Sequence, residues 1–84
     1  MRRLASVRER KRREGVVVTM NFDKGFGRIA SPPSEVEYFF HATDIQILDE
    51  ETDPVFEDFN TGDECEFMPL LGKKGWRALG VRRK

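Results

Sequence analysis

Cysteine is almost absent from the chain. Cys65 is alone, so no internal disulfide and no cysteine-built metal site can form. Histidine is as scarce, with His41 the only one, and no metal or other cofactor is expected. No apolar run approaches the ~20 residues of a membrane-spanning helix or the core of a secretory signal, so no membrane partner is expected. The lone cysteine fits a reducing compartment, and a cytoplasmic location is the expectation. Catalytic groupings are missing too. A Cys65–His41 pair would need both side chains on one side of a sheet, whereas alternation places Cys65 inside. Asp23 and Asp44 have no neighbours that mark them as a catalytic pair. The chain is read as a binding protein and not an enzyme.

Basic residues are missing from one long stretch. Between Glu35 and Glu66 there are twelve acids and no Lys or Arg. The formal net charge of zero hides this segregation, because both ends are basic. Residues 1–14 carry Arg2, Arg3, Arg8, Arg10, Lys11, Arg12 and Arg13 against Glu9 and Glu14. Residues 72–84 carry Lys73, Lys74, Arg77, Arg82, Arg83 and Lys84 with no acid. Basic ends can meet phosphates, and an acidic middle can meet a basic protein.

Residues 1–14 have too little apolar surface to bury and read as a flexible basic arm, with a short helix over 7–14 as one option. The arm either binds nucleic acid or is a solvated terminus. A transit peptide, and so an organellar location, is a third reading, which Glu9 and Glu14 oppose. The opening Met suggests a natural N-terminus or one added in cloning.

Eighty-four residues allow one small domain. Val16 to Phe22 is rich in β-branched residues and predicts the first strand. The Asn21-Phe22-Asp23-Lys24 turn joins it to a second strand over 25–31, which Pro32 and Pro33 end. Glu35 to Ala42 is the third strand, with Tyr38 and Phe40 inward. A fourth runs from about Glu64 to Leu71, with Cys65 and Phe67 inward and a bulge or edge at Pro69. A fifth runs from Trp76 to Arg82 after the Gly72-Lys73-Lys74-Gly75 turn. Residues 46–61 form a long acidic loop.

Two motifs carry the chemistry. Lys24-Gly25-Phe26-Gly27-Arg28-Ile29 sets one aromatic between two glycines, and Tyr38-Phe39-Phe40-His41 is an aromatic run ending in the histidine. Alternation puts Phe26 and Arg28 on one face, and Phe39 and His41 likewise. If the strands pair, three rings and a guanidinium make a flat surface suited to stacked bases. The flanking glycines would leave little bulk beside Phe26 and allow close backbone approach.

These two motifs resemble the ribonucleoprotein motifs of the cold-shock domain family, K-G-F-G-F-I and V-F-V-H-F. Gly15 to Asn21, Thr61 to Phe67 and Gly75 to Val81 extend the resemblance over about residues 15–83. It implies an all-β, five-stranded antiparallel OB-type β-barrel over residues 15–84, following the arm over 1–14. It also implies a short helical turn at Thr43-Asp44-Ile45. The 46–61 loop would be roughly six residues longer than in the simplest members, at a closure cost on the order of a few tenths of a kcal/mol. Phe59 corresponds to a core leucine and should pack inward. Phe56 corresponds to a loop aromatic that either extends the platform or tethers the loop.

The family's activity implies binding of single-stranded nucleic acid, RNA in the first instance and single-stranded DNA as the alternative. Phe26, Phe39, His41 and Phe56 would meet bases. Lys24, Arg28, Lys73, Lys74 and the basic ends would meet phosphates, with Trp76 either in that cluster or anchoring the barrel. The chain departs from the family at Thr19, Met20, Arg28 and Ala42, where aromatics are usual. This thinning resembles the degenerate domains of the upstream-of-N-ras type of RNA-binding protein. It motivates a second hypothesis, a protein-interaction module of a ribonucleoprotein assembly whose acidic loop takes a basic protein partner.

Overall fold

The computed structural model describes residues 12–84. Five strands form a closed barrel: β1 (Arg13–Asn21), β2 (Phe26–Ala30), β3 (Glu37–His41), β4 (Glu64–Gly72) and β5 (Gly75–Arg83). Two 3-10 turns, Ala42–Asp44 and Phe56–Asp58, lie in the β3–β4 connection. The order around the barrel is β1-β2-β3-β5-β4. Four seams are antiparallel, as expected, but β3 and β5 meet in parallel. The reason is parity: five strands in a ring cannot alternate direction all the way round.

β1 starts earlier than the sequence suggests. Arg13 and Glu14 are strand residues paired with Phe67 and Glu66, where a helix over 7–14 was one option. Arg12 is also tied down. Its guanidinium donates to the carbonyls of Glu66 and Gly80 and pairs with the Glu66 carboxylate at 3.3 Å. The rest of the arm, residues 1–11, lies outside the described residues.

Alternation fills the interior. Val17, Ile29, Tyr38, Phe40, Cys65, Phe67, Ala78 and Val81 point inward from the strands, joined by Phe56 and Phe59 from the long loop. Burying an aliphatic or aromatic side chain of this size stabilises by about 1.5–3 kcal/mol, so the loop rings count for as much as strand residues. Two bulges break the period. On β1 the register shifts between Val17 and Thr19, which turns both Val18 and Thr19 outward. On β5 it shifts opposite Glu66 and Met68, and Gly80 there has φ +57°. Left-handed backbone at such a bulge suits glycine, and the extra residue is why Ala78 and Val81, three apart, both face the core.

β1 pairs with β4 only as far as Phe67. Beyond it, β4 and β5 continue as a ribbon through Leu70–Arg77 and Leu71–Trp76 to the Lys73-Lys74 turn, with β4 paired on one edge only and β5 still bridged to β3 at Arg77. Pro69 lies in that ribbon, one residue beyond the bulge region, where one edge of β4 is free of β1, in keeping with a residue that lacks an N–H donor.

Candidate nucleic-acid interface

Register brings the two aromatic motifs side by side. Phe26 lies opposite His41 and Arg28 opposite Phe39 across the β2–β3 pair. Directly opposed residues share a face and interact. The Phe26 and Phe39 rings stack, with centroids 5.2 Å apart and planes 26° from parallel. Phe39 meets His41 edge to face at 4.9 Å. Three rings thus form one continuous outer ladder, as the alternation implied. His41 is exposed, while Phe26 and Phe39 are half-buried.

The parallel seam lengthens this surface in a way the sequence did not show. Phe39 pairs with Arg77 of β5, and Arg77 pairs with Leu70 of β4. One row, Thr19–Arg28–Phe39–Arg77–Leu70, therefore crosses all five strands. Arg28, Phe39, His41, Arg77, Trp76 and the lysines Lys73 and Lys74 line a single open groove of about 720 Å³, and Glu37 is the acid in its wall. Arg77 is held in place. Its Nη2 donates to Asp44 Oδ2 at 2.8 Å, and the same oxygen accepts the His41 N–H at 2.9 Å. One carboxylate thereby fixes both a platform strand end and the neighbouring guanidinium. Trp76 is 37% exposed and packs edge-on against buried Tyr38 at 5.6 Å. It serves as barrel anchor and groove wall together.

Other sequence expectations are corrected. Phe56 is not a platform ring: it is 4% exposed and packs against Phe40 and Phe22, so it tethers the loop to the core. Gly27 does not clear space for a ligand. A Cβ there would lie 2.7 Å from the Phe40 ring and 2.8 Å from the Thr19 carbonyl oxygen, inside the barrel. Met20 is half-buried: it packs against the core and also borders the outer surface beside Phe26, where it stands in place of the family's aromatic. Thr19 does face outward, beside Arg28.

The basic C-terminal end is not a free tail. Arg82 pairs with Glu66 at 3.1 Å, Arg83 with Asp63 at 3.5 Å, and Lys84 with Glu14 at 3.2 Å. Lys24, Arg28, Lys73 and Lys74 are exposed and make no ion pair among the described residues. Lys24 sits in the β1–β2 turn, outside the groove. Phe22, half exposed in that turn, was missed. With Met20, Phe26 and Arg28 it borders a second depression on the β1 side of the platform. The available signal was an aromatic in a turn that strand alternation could not bury. Cys65 is fully buried, and burial pushes its thiol up to about 12, so it does not ionise near neutrality.

The model of the "Cold-shock" DNA-binding domain matches residues 13–84. Among solved structures, the Drosophila Unr structure described as CSD456 aligns with a TM-score of 0.67 at 21% identity. That alignment covers 100% of this chain and 31% of the Unr chain, so the present chain spans under a third of it. Identity at this level shows a common fold. The search of curated proteins found no match. The barrel, the paired aromatic motifs and a family match from the first strand to the last residue agree, and the chain belongs to the cold-shock domain family, whose members generally bind single-stranded nucleic acid.

Proposed function

We propose that the barrel binds single-stranded RNA by stacking bases on Phe26, Phe39 and His41, with phosphates met by Arg28, Lys24, Lys73 and Lys74. The observation that carries this reading is the continuous ring ladder on the outer face of β2 and β3, edged by exposed cations. Stacking on an aromatic side chain is worth roughly 1–3 kcal/mol per base and tolerates sequence changes, because every base has a π-face. Arg28 can contribute both charge and a planar group for stacking. Three rings give a smaller platform than the family's usual complement, so modest affinity and weak sequence preference follow.

The test is a titration with short pyrimidine-rich and mixed RNA and DNA oligonucleotides, read by Trp76 fluorescence and by anisotropy of labelled oligonucleotide. The expected result is salt-sensitive binding that Phe26→Ala and Phe39→Ala each weaken by about 5- to 150-fold, the span of removing one stack. Binding that follows salt yet ignores both substitutions would refute the stacking mechanism. Tighter binding of DNA than of matched RNA would reverse the choice of nucleic acid.

A further inference from the structure

The large exposed apolar side chains gather mainly in two places. One is the β4–β5 ribbon, where Leu71, 63% exposed, lies opposite Trp76, and Leu70 lies opposite Arg77 on the ribbon's other face. Its tip carries Lys73 and Lys74 and no acid. The other is the long loop, where Leu48 is 72% exposed and Ile47 and Val55 are also open. It carries Asp49, Glu50 and Glu51 and no Lys or Arg. One patch is apolar and basic, and the other is apolar and acidic.

Neither patch is matched among the described residues, where Lys73, Lys74, Asp49, Glu50 and Glu51 make no ion pair. Arg82 and Arg83, which line the same depression as Leu48, are already paired with Glu66 and Asp63. The patches also cannot reach each other. The ribbon tip adjoins the start of β5, whereas the loop is fastened at its end, where the Gln46 N–H donates to the Val81 carbonyl at 2.8 Å. Along β5, Gly75 and Val81 are separated by roughly 20 Å of strand.

The acidic loop is shaped for presentation. Asp53 Oδ2 accepts the N–H groups of Leu48 and Asp49, and Asp49 Oδ1 accepts that of Glu51. Leu48 is thereby held outward next to the acids.

We infer that the basic ribbon tip of one molecule docks on the acidic loop of a second copy, so that the chain self-associates head to tail. Opposite charge sets the register of such a contact and speeds encounter, while Leu48, Leu71 and Trp76 supply the area removed from water. A formal net charge of zero removes the long-range repulsion that would keep copies apart. The two surfaces differ, so the contact is heterologous and grows beyond a dimer unless it closes into a ring. Lys73, Lys74 and Trp76 also belong to the proposed nucleic-acid surface, so association is to be measured without nucleic acid.

The experiment is sedimentation equilibrium of the full chain from about 10 µM to about 1 mM at low and high salt, the range suited to a small, transient interface. The expected result is a weight-average mass that rises with concentration past the 9.8 kDa monomer and falls with salt. Two doubly charge-reversed variants, K73E/K74E and E50K/E51K, should each weaken association about tenfold or more. An equimolar mixture of the two should restore it, because each reversed patch then meets its complement. Circular dichroism checks that both variants keep the barrel. A monomer at every concentration would overturn the inference. So would association that both reversals leave unchanged, or a mixture that fails to recover while both variants remain folded.

Discussion

At the scale of single residues, side chains on the two sides of one strand have opposite duties. On β2, Phe26 faces out to the platform and Gly27 faces in beneath Phe40. A methyl group at position 27 would have to displace a core ring and a backbone carbonyl at once. Gly27→Ala should therefore destabilise the barrel by about 1–3 kcal/mol, the usual cost of overfilling a packed core. A lower midpoint in urea with an unchanged slope is the expected reading. Phe26→Ala, on the outer side of the same strand, should reduce RNA affinity while moving that midpoint much less. Much of this division was legible. Period-two alternation correctly assigned Phe26, Phe39 and His41 to the outside and Tyr38, Phe40, Cys65 and Phe67 to the inside. Gly27 was read from the wrong side because a glycine has no side chain to reveal its phase. What it makes room for is set by a residue thirteen positions away.

At the scale of elements, the long loop is two structures in series. Phe56 and Phe59 belong to the core, whereas residues 47–53 form an outward turn built on carboxylates. Asp53 accepts two backbone N–H bonds, which hold its carboxyl below the usual aspartate range. The pKa in the folded loop is depressed, so the turn's support is present above the ordinary carboxylate pKa of about 3.9. That support is lost as pH falls through the lower, folded value. An NMR pH titration should show the Leu48 and Asp49 amide resonances moving together with the Asp53 carboxyl, and below that of an ordinary aspartate. Asp53→Asn should remove the step. Composition identified this segment as long and acidic, and the family resemblance correctly sent Phe59 inward. It left Phe56 open, because a loop aromatic has no strand phase by which to choose between core and surface. Nor did the residues reveal that carboxylates would stiffen the turn, since such bonds depend on backbone direction.

At the scale of the whole molecule, charge is sorted by pairing as well as by sequence. Arg82, Arg83 and Lys84 are tied to Glu66, Asp63 and Glu14, whereas Lys73 and Lys74 at the ribbon tip are open. A cation that neutralises one phosphate of a single strand releases counterions and steepens the salt slope by about 0.7. Lys73→Gln and Lys74→Gln should each flatten the slope of log affinity against log salt by about that amount. Arg83→Gln should leave the slope alone, as its charge is already occupied. The sequence distinguished basic ends from an acidic middle, but not a neutralised basic strand from an open basic turn. That distinction depends on β5 lying against β4, which sets Arg82 beside Glu66. The same closure decides where the barrel is most lightly fastened. A hoop with an odd number of staves has one joint where neighbours run the same way. Here that joint holds by the Phe39–Arg77 and Ile45–Val81 bridges, the Gln46–Val81 backbone bond and the Asp44–Arg77 ion pair. It opens onto the platform itself, so a strand laid from Phe39 to Arg77 spans the joint like a splint: the cargo would brace the vessel that carries it.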